Sequence, residues 1–402
     1  MTARPAAAPQ SELHLERAVR ALEWLRGRSG EQRELLEAWA AIESPSREPA
    51  TQEPLLRSIA AELEKIRFEP RLLPGRPAGG LLYARPRVRR RRAPRQLLIG
   101  HCDTVWPLDT LETMPIRERR GRIRGPGVYD MKAGLVQLVF ALRAFDHFDW
   151  PLPVMPIVLV NSDEEIGSRG STAVIRRLAR IAARAFVLEP SLGLEGRLKT
   201  ARKGVGRFEI GVRGQAAHAG LDPEAGVSAI LELSHVIQTL FAMNDVESGV
   251  TVNVGTIEGG LGANVIAPES RAVVDVRVLR EEDARRIERE IRGLRAATPG
   301  AELVIEGGIG RPPMERTPAN AALFAEARRI GQHLGFALEE ATAGGGSDGN
   351  TTSLYTATLD GLGAVGDGAH APHEFLFTER LPERTALLVG LLGAPVPPEP
   401  PA

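Results

Sequence analysis

Ile157-Val-Leu-Val-Asn-Ser-Asp-Glu-Glu-Ile-Gly-Ser168 opens as a short β-branched apolar run and closes on three adjacent carboxylates and a glycine. The run 157–160 follows a proline-rich approach and has the composition of a buried strand. Asp163, Glu164 and Glu165 then stand together at the strand's end. Neighbouring carboxylates at the mouth of an apolar strand repel one another and lose hydration, a cost that a cation removes. One or two acids at such a place are commonly a solvated loop, or a helix start favoured by the dipole. On these residues alone the two readings stand level. The rest of the chain decides between them.

Upstream, 96–99 is an apolar strand that delivers His101-Cys102-Asp103, and 125–134 is a loop carrying Asp130-Met-Lys-Ala-Gly ahead of a helix over 133–146. Downstream, a helix over 171–183 and a strand over 185–188 deliver Glu189-Pro190. Strands that alternate with helices and end in metal-ligand residue types describe an α/β sheet with its site at the carboxyl ends. Before them, apolar spacing predicts two helices within 11–42, a third over 51–66, and strands at 68–73 and 80–84. After Lys203 the character changes. Strands at 205–212, 251–257, 271–278 and 303–306 and helices at 226–243 and 281–294 run in the order β-α-β-β-α-β. That order predicts a small antiparallel-sheet domain, 204–312, inserted into a domain made of 1–203 and 313–402. A helix over 318–334, a glycine-rich loop at 343–350 and a closing helix at 381–392 complete the larger domain. The proline-rich tail 394–402 is expected to be disordered.

Composition bounds the function. The 402 residues carry 51 basic and 51 acidic side chains, so no net field favours nucleic acid or an anionic membrane. A single cysteine, Cys102, excludes an internal disulfide framework and fits a reducing compartment. With neither a signal-peptide pattern nor an apolar run long enough for a membrane span, the expected location is cytoplasmic. The one strong charge run is 85–95, with seven arginines. It lacks interleaved aromatics and is bounded by prolines, so a solvated hairpin tip is the better account than a polyanion site.

The candidate ligands at segment ends are His101, Asp103, Asp130, Glu164, Glu165, Glu189 and His373. Imidazole with carboxylate in an open site suits zinc, with cobalt or manganese as rivals. Alternate residues of an extended segment point the same way, so Asp103 can orient His101 while Cys102 faces away as a small buried hydrophobe. His14, His147, His235, His333 and His370 are read as structural. Singly each ligand type is weak evidence. Their joint occurrence at the ends of five segments is hard to obtain by chance.

The ordered motifs also carry a resemblance. His101-x-Asp103, Gly-x-x-x-Asp130-Met-Lys-x-Gly, Asp-Glu164-Glu165-x-Gly-Ser, Glu189-Pro, His218-Ala-Gly and Pro-His373-Glu resemble the di-zinc peptidase family of bacterial glutamate carboxypeptidases, aminoacylases, acetylornithine deacetylase and succinyl-diaminopimelate desuccinylase. Asp-Glu-Glu-Ile-Gly-Ser, Arg311-Pro and Gly-Gly-Gly-Ser-Asp are most similar to the carboxypeptidase branch that hydrolyses folate-type glutamate amides. The resemblance implies an α/β/α catalytic domain with a mixed sheet and an inserted ferredoxin-like lid and dimerisation domain. It implies two zinc ions bridged by Asp130, one completed by His101 and Glu189, the other by Glu165 and His373. Glu164 is then the general base, Asp103 the acid behind His101, and His218 the group that polarises the scissile carbonyl, with Asn264 beside it. Arg311, with Gly345 and Gly346, takes the carboxylate of a peptide or small-molecule substrate. A homodimer is implied, with His218 reaching the twin's site.

The leading expectation is a zinc-dependent hydrolase of the amide bond to a C-terminal amino acid. The rival within the same family is an N-acyl-amino-acid deacylase. From other classes, a catalytically dead binding protein is opposed by the intact ligand set, and nucleic-acid binding rests on the arginine run alone.

Overall fold

The computed structural model describes residues 12–75, 78–88, 90 and 92–396. The far end of the proline-rich tail and two arginines of the 85–95 run lie outside them. The chain folds as two compact units, one of Met1–Thr200, Arg316–Ala341 and Ser347–Ala402, the other of Ala201–Glu315 and Thr342–Gly346.

The larger unit is built on a six-stranded mixed sheet. Its spatial order is Phe68–Leu73, Leu81–Pro86, Met155–Asn161, Arg95–His101, Arg184–Val187 and Thr358–Leu359. The first two strands run antiparallel to their neighbours, and the other four pair in parallel. The pleat explains why these strands read as continuous apolar runs. Leu98, Val158, Val160 and Phe186 point into a core shared with helices Leu13–Arg26, Ala133–His147 and Arg380–Gly393. Leu97, Ile99, Ile157, Leu159 and Val187 point to the opposite core under helix Thr172–Ala179. A strand buried on both faces has no polar alternation to show. Helix Pro49–Lys65 starts ahead of the expected 51 because Pro49 occupies its first turn, where a missing N–H costs nothing. A second small sheet, Gly366–Asp367, Phe375–Phe377, Arg122–Arg124 and Arg117–Arg119, was not legible in the sequence, since its strands are only two or three residues long.

The smaller unit is a four-stranded antiparallel sheet ordered Thr251–Gly259, Glu269–Val278, Gly204–Arg213, Glu302–Arg311. Phe208, Ile210, Val274, Val276 and Val278 point to one core with Val236 and Leu240 of helix Ala229–Ala242 and Ile287 and Ile291 of helix Glu281–Arg292. Off that core, Arg271 pairs with Glu209 and Glu258 across three strands. The glycine run 344–346, assigned by sequence to the larger domain, folds with this unit instead. Lys203 N–H donates to the Ala343 carbonyl and Arg202 Nη1 to the Gly345 and Gly346 carbonyls, at 2.9, 3.2 and 3.2 Å. No helix among the described residues is long and apolar enough to cross a membrane.

Candidate metal centre

Three parallel strands end at one edge of the larger sheet. His101 closes its strand and pairs in register with Asn161, after which the chain turns through Asp163–Ser168. Strand Arg184–Val187 runs on through Leu188 to Glu189. Asp130 comes from the loop before helix Ala133–His147. That helix starts so close to the sheet that a Cβ at Gly134 would lie 2.1 Å from the Leu188 carbonyl oxygen, so only glycine fits.

Each of the three adjacent acids has its own partners. Asp163 is buried and faces away from the cluster, its carboxylate accepting from the Gly170 and Ser171 N–H groups and the Ser171 hydroxyl at 2.7, 3.2 and 2.6 Å. Ligand atoms of Glu165, His101 and Asp130 lie within 4.8 Å of one another, as do those of Glu164, His101 and Glu189. Behind them, buried Asp103 accepts from the Glu164 and Glu165 N–H groups at 3.2 Å each and from Ser46 Oγ at 2.7 Å. The Asp103 carbonyl lies 2.9 Å from His101 Nδ1. A proton held there leaves the Nε2 lone pair facing the cluster, which is how second-sphere oxygens set a ligand tautomer.

His101 Nε2 is 3.4 Å from both Asp130 Oδ1 and Glu189 Oε1. Nε2 and Oδ1 are buried without a hydrogen-bond partner. Orphaned buried polar atoms are rare, and here a nitrogen lone pair and a carboxylate oxygen converge. That chemistry fits a divalent cation. The electrostatics agree. Burial and the Asp130 charge push the Glu165 carboxyl up, with His370 opposing. Asp130, despite its burial, is held well below the usual carboxylate range by His101 and His370. His101, against its own burial, is raised well above the ordinary imidazole value by Asp103, Asp130 and Glu189.

The second imidazole at the cluster is His370, not His373. His370 Nε2 lies 3.0 Å from Glu165 Oε2 and 3.4 Å from Asp130 Oδ2, and hydrogen bonding to those two acids raises it to about 11. The hairpin between Gly366–Asp367 and Phe375–Phe377 carries both histidines, and a left-handed turn at Gly368 and His370 (φ 81° and 61°) directs its tip. His373 is exposed and packs against Gly368. The sequence reading followed Pro-His-Glu. The usable signal was Gly368, whose left-handed φ and close approach to Glu374 only glycine allows.

Glu374 was also missed. Its buried carboxylate accepts from Gly127, Tyr129 and Asp130 N–H at 3.0, 2.9 and 3.1 Å and from Trp106 Nε1 at 2.9 Å. Burial pushes it up to about 7 against the pull of those donors. It holds the loop that presents Asp130. Cys102 is fully buried as expected of a small hydrophobe, and burial raises its thiol.

The remaining named residues belong to the smaller unit. His218 is exposed, and its Nδ1 accepts from the Gly220 and Leu221 N–H groups at 3.2 and 3.1 Å. That leaves Nε2–H as the outward donor. Asn264 sits beside it, its carbonyl accepting from Ala219 N–H at 3.0 Å. Arg311 ends the edge strand opposite Val205, at the chain region where Arg202 holds the glycine run.

A model of Peptidase family M20/M25/M40 matches residues 97–394. Carboxypeptidase G2 of Pseudomonas sp. (strain RS-16) is 28% identical over 319 residues, covering 77% of this chain and 76% of that protein. Acetylornithine deacetylase of Myxococcus xanthus is 28% identical over 304 residues, 72% of this chain and 77% of its own. The Bacillus subtilis YxeP protein, described as a dinuclear metal-binding peptidase, shares the fold with a TM-score of 0.67 at 16% identity, over 91% of this chain and 98% of its own. With three quarters of its length matched and a cluster of candidate metal ligands at the expected sheet edge, the chain belongs to peptidase family M20/M25/M40, metallohydrolases of peptide and linear amide bonds.

Proposed function

We propose that the protein is a zinc-dependent, carboxypeptidase-like amidohydrolase that releases a C-terminal amino acid. The convergence of two imidazoles and four carboxylates on the orphaned His101 Nε2 and Asp130 Oδ1 carries this reading. His101, Asp130 and Glu189 would hold one ion, and Asp130, Glu165 and His370 the other. Zinc suits this nitrogen and oxygen set best, with cobalt and manganese next. Bound there, the ions supply Lewis-acid polarisation of the scissile carbonyl and a lowered pKa for water.

The protein's own groups do the rest. The Glu164 carboxylate takes a proton from the attacking water and returns it to the departing nitrogen. Asp103 keeps the His101 Nδ1 proton in place and fixes the Glu164–Glu165 backbone. His218 offers Nε2–H to the carbonyl oxygen, beside Asn264. Arg311 clamps the leaving amino acid's carboxylate with its fork, assisted by backbone at Gly345 and Gly346. A cytoplasmic homodimer completes the reading. Ile230, Leu231 and Phe241 on helix Ala229–Ala242 and Ile257 on edge strand Thr251–Gly259 are about half exposed or more, an apolar surface beside an open strand edge.

The second reading, an N-acyl-amino-acid deacylase, is favoured by the equal identity to a deacetylase. A panel of peptidyl glutamates against acetylated amino acids separates the two. The mechanism is tested by Glu164→Gln, which should retain both ions while kcat falls by at least ~10²-fold. Loss of metal in step with activity would show that Glu164 and Glu165 exchange roles.

A further inference from the structure

Residues 117–124 read Arg-Glu-Arg-Arg-Gly-Arg-Ile-Arg, an arginine-rich stretch that glutamate, glycine and isoleucine interrupt along the sequence. Strand pairing removes the interruption. In the small sheet of the larger unit, Arg117 stands directly opposite Arg124, and Arg119 opposite Arg122. Between those pairs Glu118 stands opposite Ile123, which is fully buried, and Glu118 is 3.0 Å from Arg33. Side chains alternate between the faces of a strand, so the four arginines share the outer face, and all four are exposed. On the next strand Phe375 lies opposite Arg124 and Phe377 opposite Arg122. The Arg122 guanidinium covers both rings, at 4.6 and 5.1 Å from their centres, and is anchored by them.

Like charges directly opposite one another destabilise an antiparallel pair, and this hairpin sets two such pairs side by side. Its turn adds a fifth arginine. Arg120 (φ 52°) precedes Gly121 (φ 72°) in a mirror-image hairpin turn, whose first place ordinarily holds Asn, Asp or Gly. Elsewhere on the surface guanidinium groups meet carboxylates, as Arg67 does Asp146, Arg271 does Glu209 and Arg316 does Glu340. Among the described residues none of these five arginines forms an ion pair. Asp367, two strands from Arg124 in the same sheet, accepts from the Gly368 N–H at 2.8 Å.

We infer that this face is a binding site for an oligophosphate anion, a linear chain of linked phosphoryl groups. The inference is independent of the amide hydrolysis proposed above. Neighbouring arginines are rooted about 5 Å apart across the hairpin and about 7 Å apart along each strand. A single phosphate reaches only part of such an array, whereas a chain of them engages every fork with its own oxygens. The face does not suit nucleic acid, because Phe375 and Phe377 lie beneath Arg122 and leave no open ring for a base to stack on.

The test is calorimetric titration of the full-length, metal-loaded protein with tripolyphosphate, ATP, inorganic phosphate and a short single-stranded oligonucleotide. Tripolyphosphate should bind at least ~100-fold more tightly than inorganic phosphate, because it engages more guanidinium groups. ATP no tighter than tripolyphosphate marks the bare chain as the ligand, and tighter ATP marks a nucleotide. Arg117→Gln/Arg119→Gln, on the outermost strand, should weaken tripolyphosphate at least ~10-fold and leave turnover unchanged. It should melt no lower than the native protein, since repulsion is relieved. Arg176→Gln/Arg177→Gln, exposed on helix Thr172–Ala179, removes the same charge elsewhere and should leave binding intact. Asp130→Asn should keep it too, which separates this face from the metal cluster. Binding that vanishes in Asp130→Asn, that weakens equally in the two arginine variants, or that is tighter for the oligonucleotide than for tripolyphosphate overturns the site. So does no binding at all.

Discussion

Asp163, Glu164 and Glu165 illustrate how neighbouring identical charges are kept from opposing one another. Asp163 spends its lone pairs on the start of helix Thr172–Ala179, so only two acids remain for chemistry. The two glutamates join different ligand groups around the shared His101. The same logic of direction decides between His370 and His373. Both are exposed and three residues apart, and only His370 meets two carboxylates. His370→Ala should therefore lose about one metal equivalent per chain and at least ~10²-fold in kcat/KM, while His373→Ala keeps its metal and most of its activity. Elemental analysis after dialysis, paired with kinetics, reads both quantities. Equal loss from the two variants would return the ligand role to His373. Asp130→Asn should cost both ions together, because its two oxygens face different imidazoles, Oδ1 toward His101 and Oδ2 toward His370. A variant that still binds two ions tightly sinks the bridge.

At the scale of elements, the edge that carries the candidate site is a meeting of strand ends and loops, and loops need their own fastening. The Asp130 loop has no strand partner for its N–H groups at 127, 129 and 130, and Glu374 supplies one acceptor for all three. Glu374→Gln keeps the shape but removes the charge and one acceptor oxygen. It should destabilise the fold by ~1–3 kcal/mol, the range for leaving buried donors short of a partner. It should also weaken metal affinity by ~10–100-fold, the usual cost of losing an outer partner of a ligand. Denaturant unfolding and competitive metal titration check the two numbers separately. Unchanged affinity in a destabilised variant would reduce Glu374 to a purely structural acid.

For the whole molecule, the residues proposed to carry the chemistry are divided between two units. The proposed metal ligands and Glu164 lie in one, and the proposed substrate-binding residues His218, Asn264, Arg311 and the glycine run in the other. If His218 acts on the twin's site, two inactive variants can repair each other. In a Glu164→Ala and His218→Ala heterodimer, a trans arrangement puts both lesions in one site and leaves the other whole. Random 1:1 exchange makes about half the dimers mixed, so roughly a quarter of all sites should regain activity by two-fold counting. A mixed dimer verified by mass and still inactive would place His218 in its own chain's site.

The sequence by itself determined the α/β alternation of strands and helices and the sheet edge at which the candidate ligand types gather. It could do so because strand and helix periodicity report burial along a single element, and burial is local to that element's neighbours. Leu97 and Leu98 read as one apolar run, and both are fully buried, on opposite faces. What only the tertiary structure decided is which of several like side chains faces the site. His370 and Glu165 are 205 positions apart, and Asp130 and Glu374 are 244 apart. The turn at Gly368 that orients His370, and the loop that Glu374 fastens, are set by contacts between segments distant in the chain. No pattern of neighbouring residues carries those contacts, so the choice between two histidines three positions apart was settled only by packing.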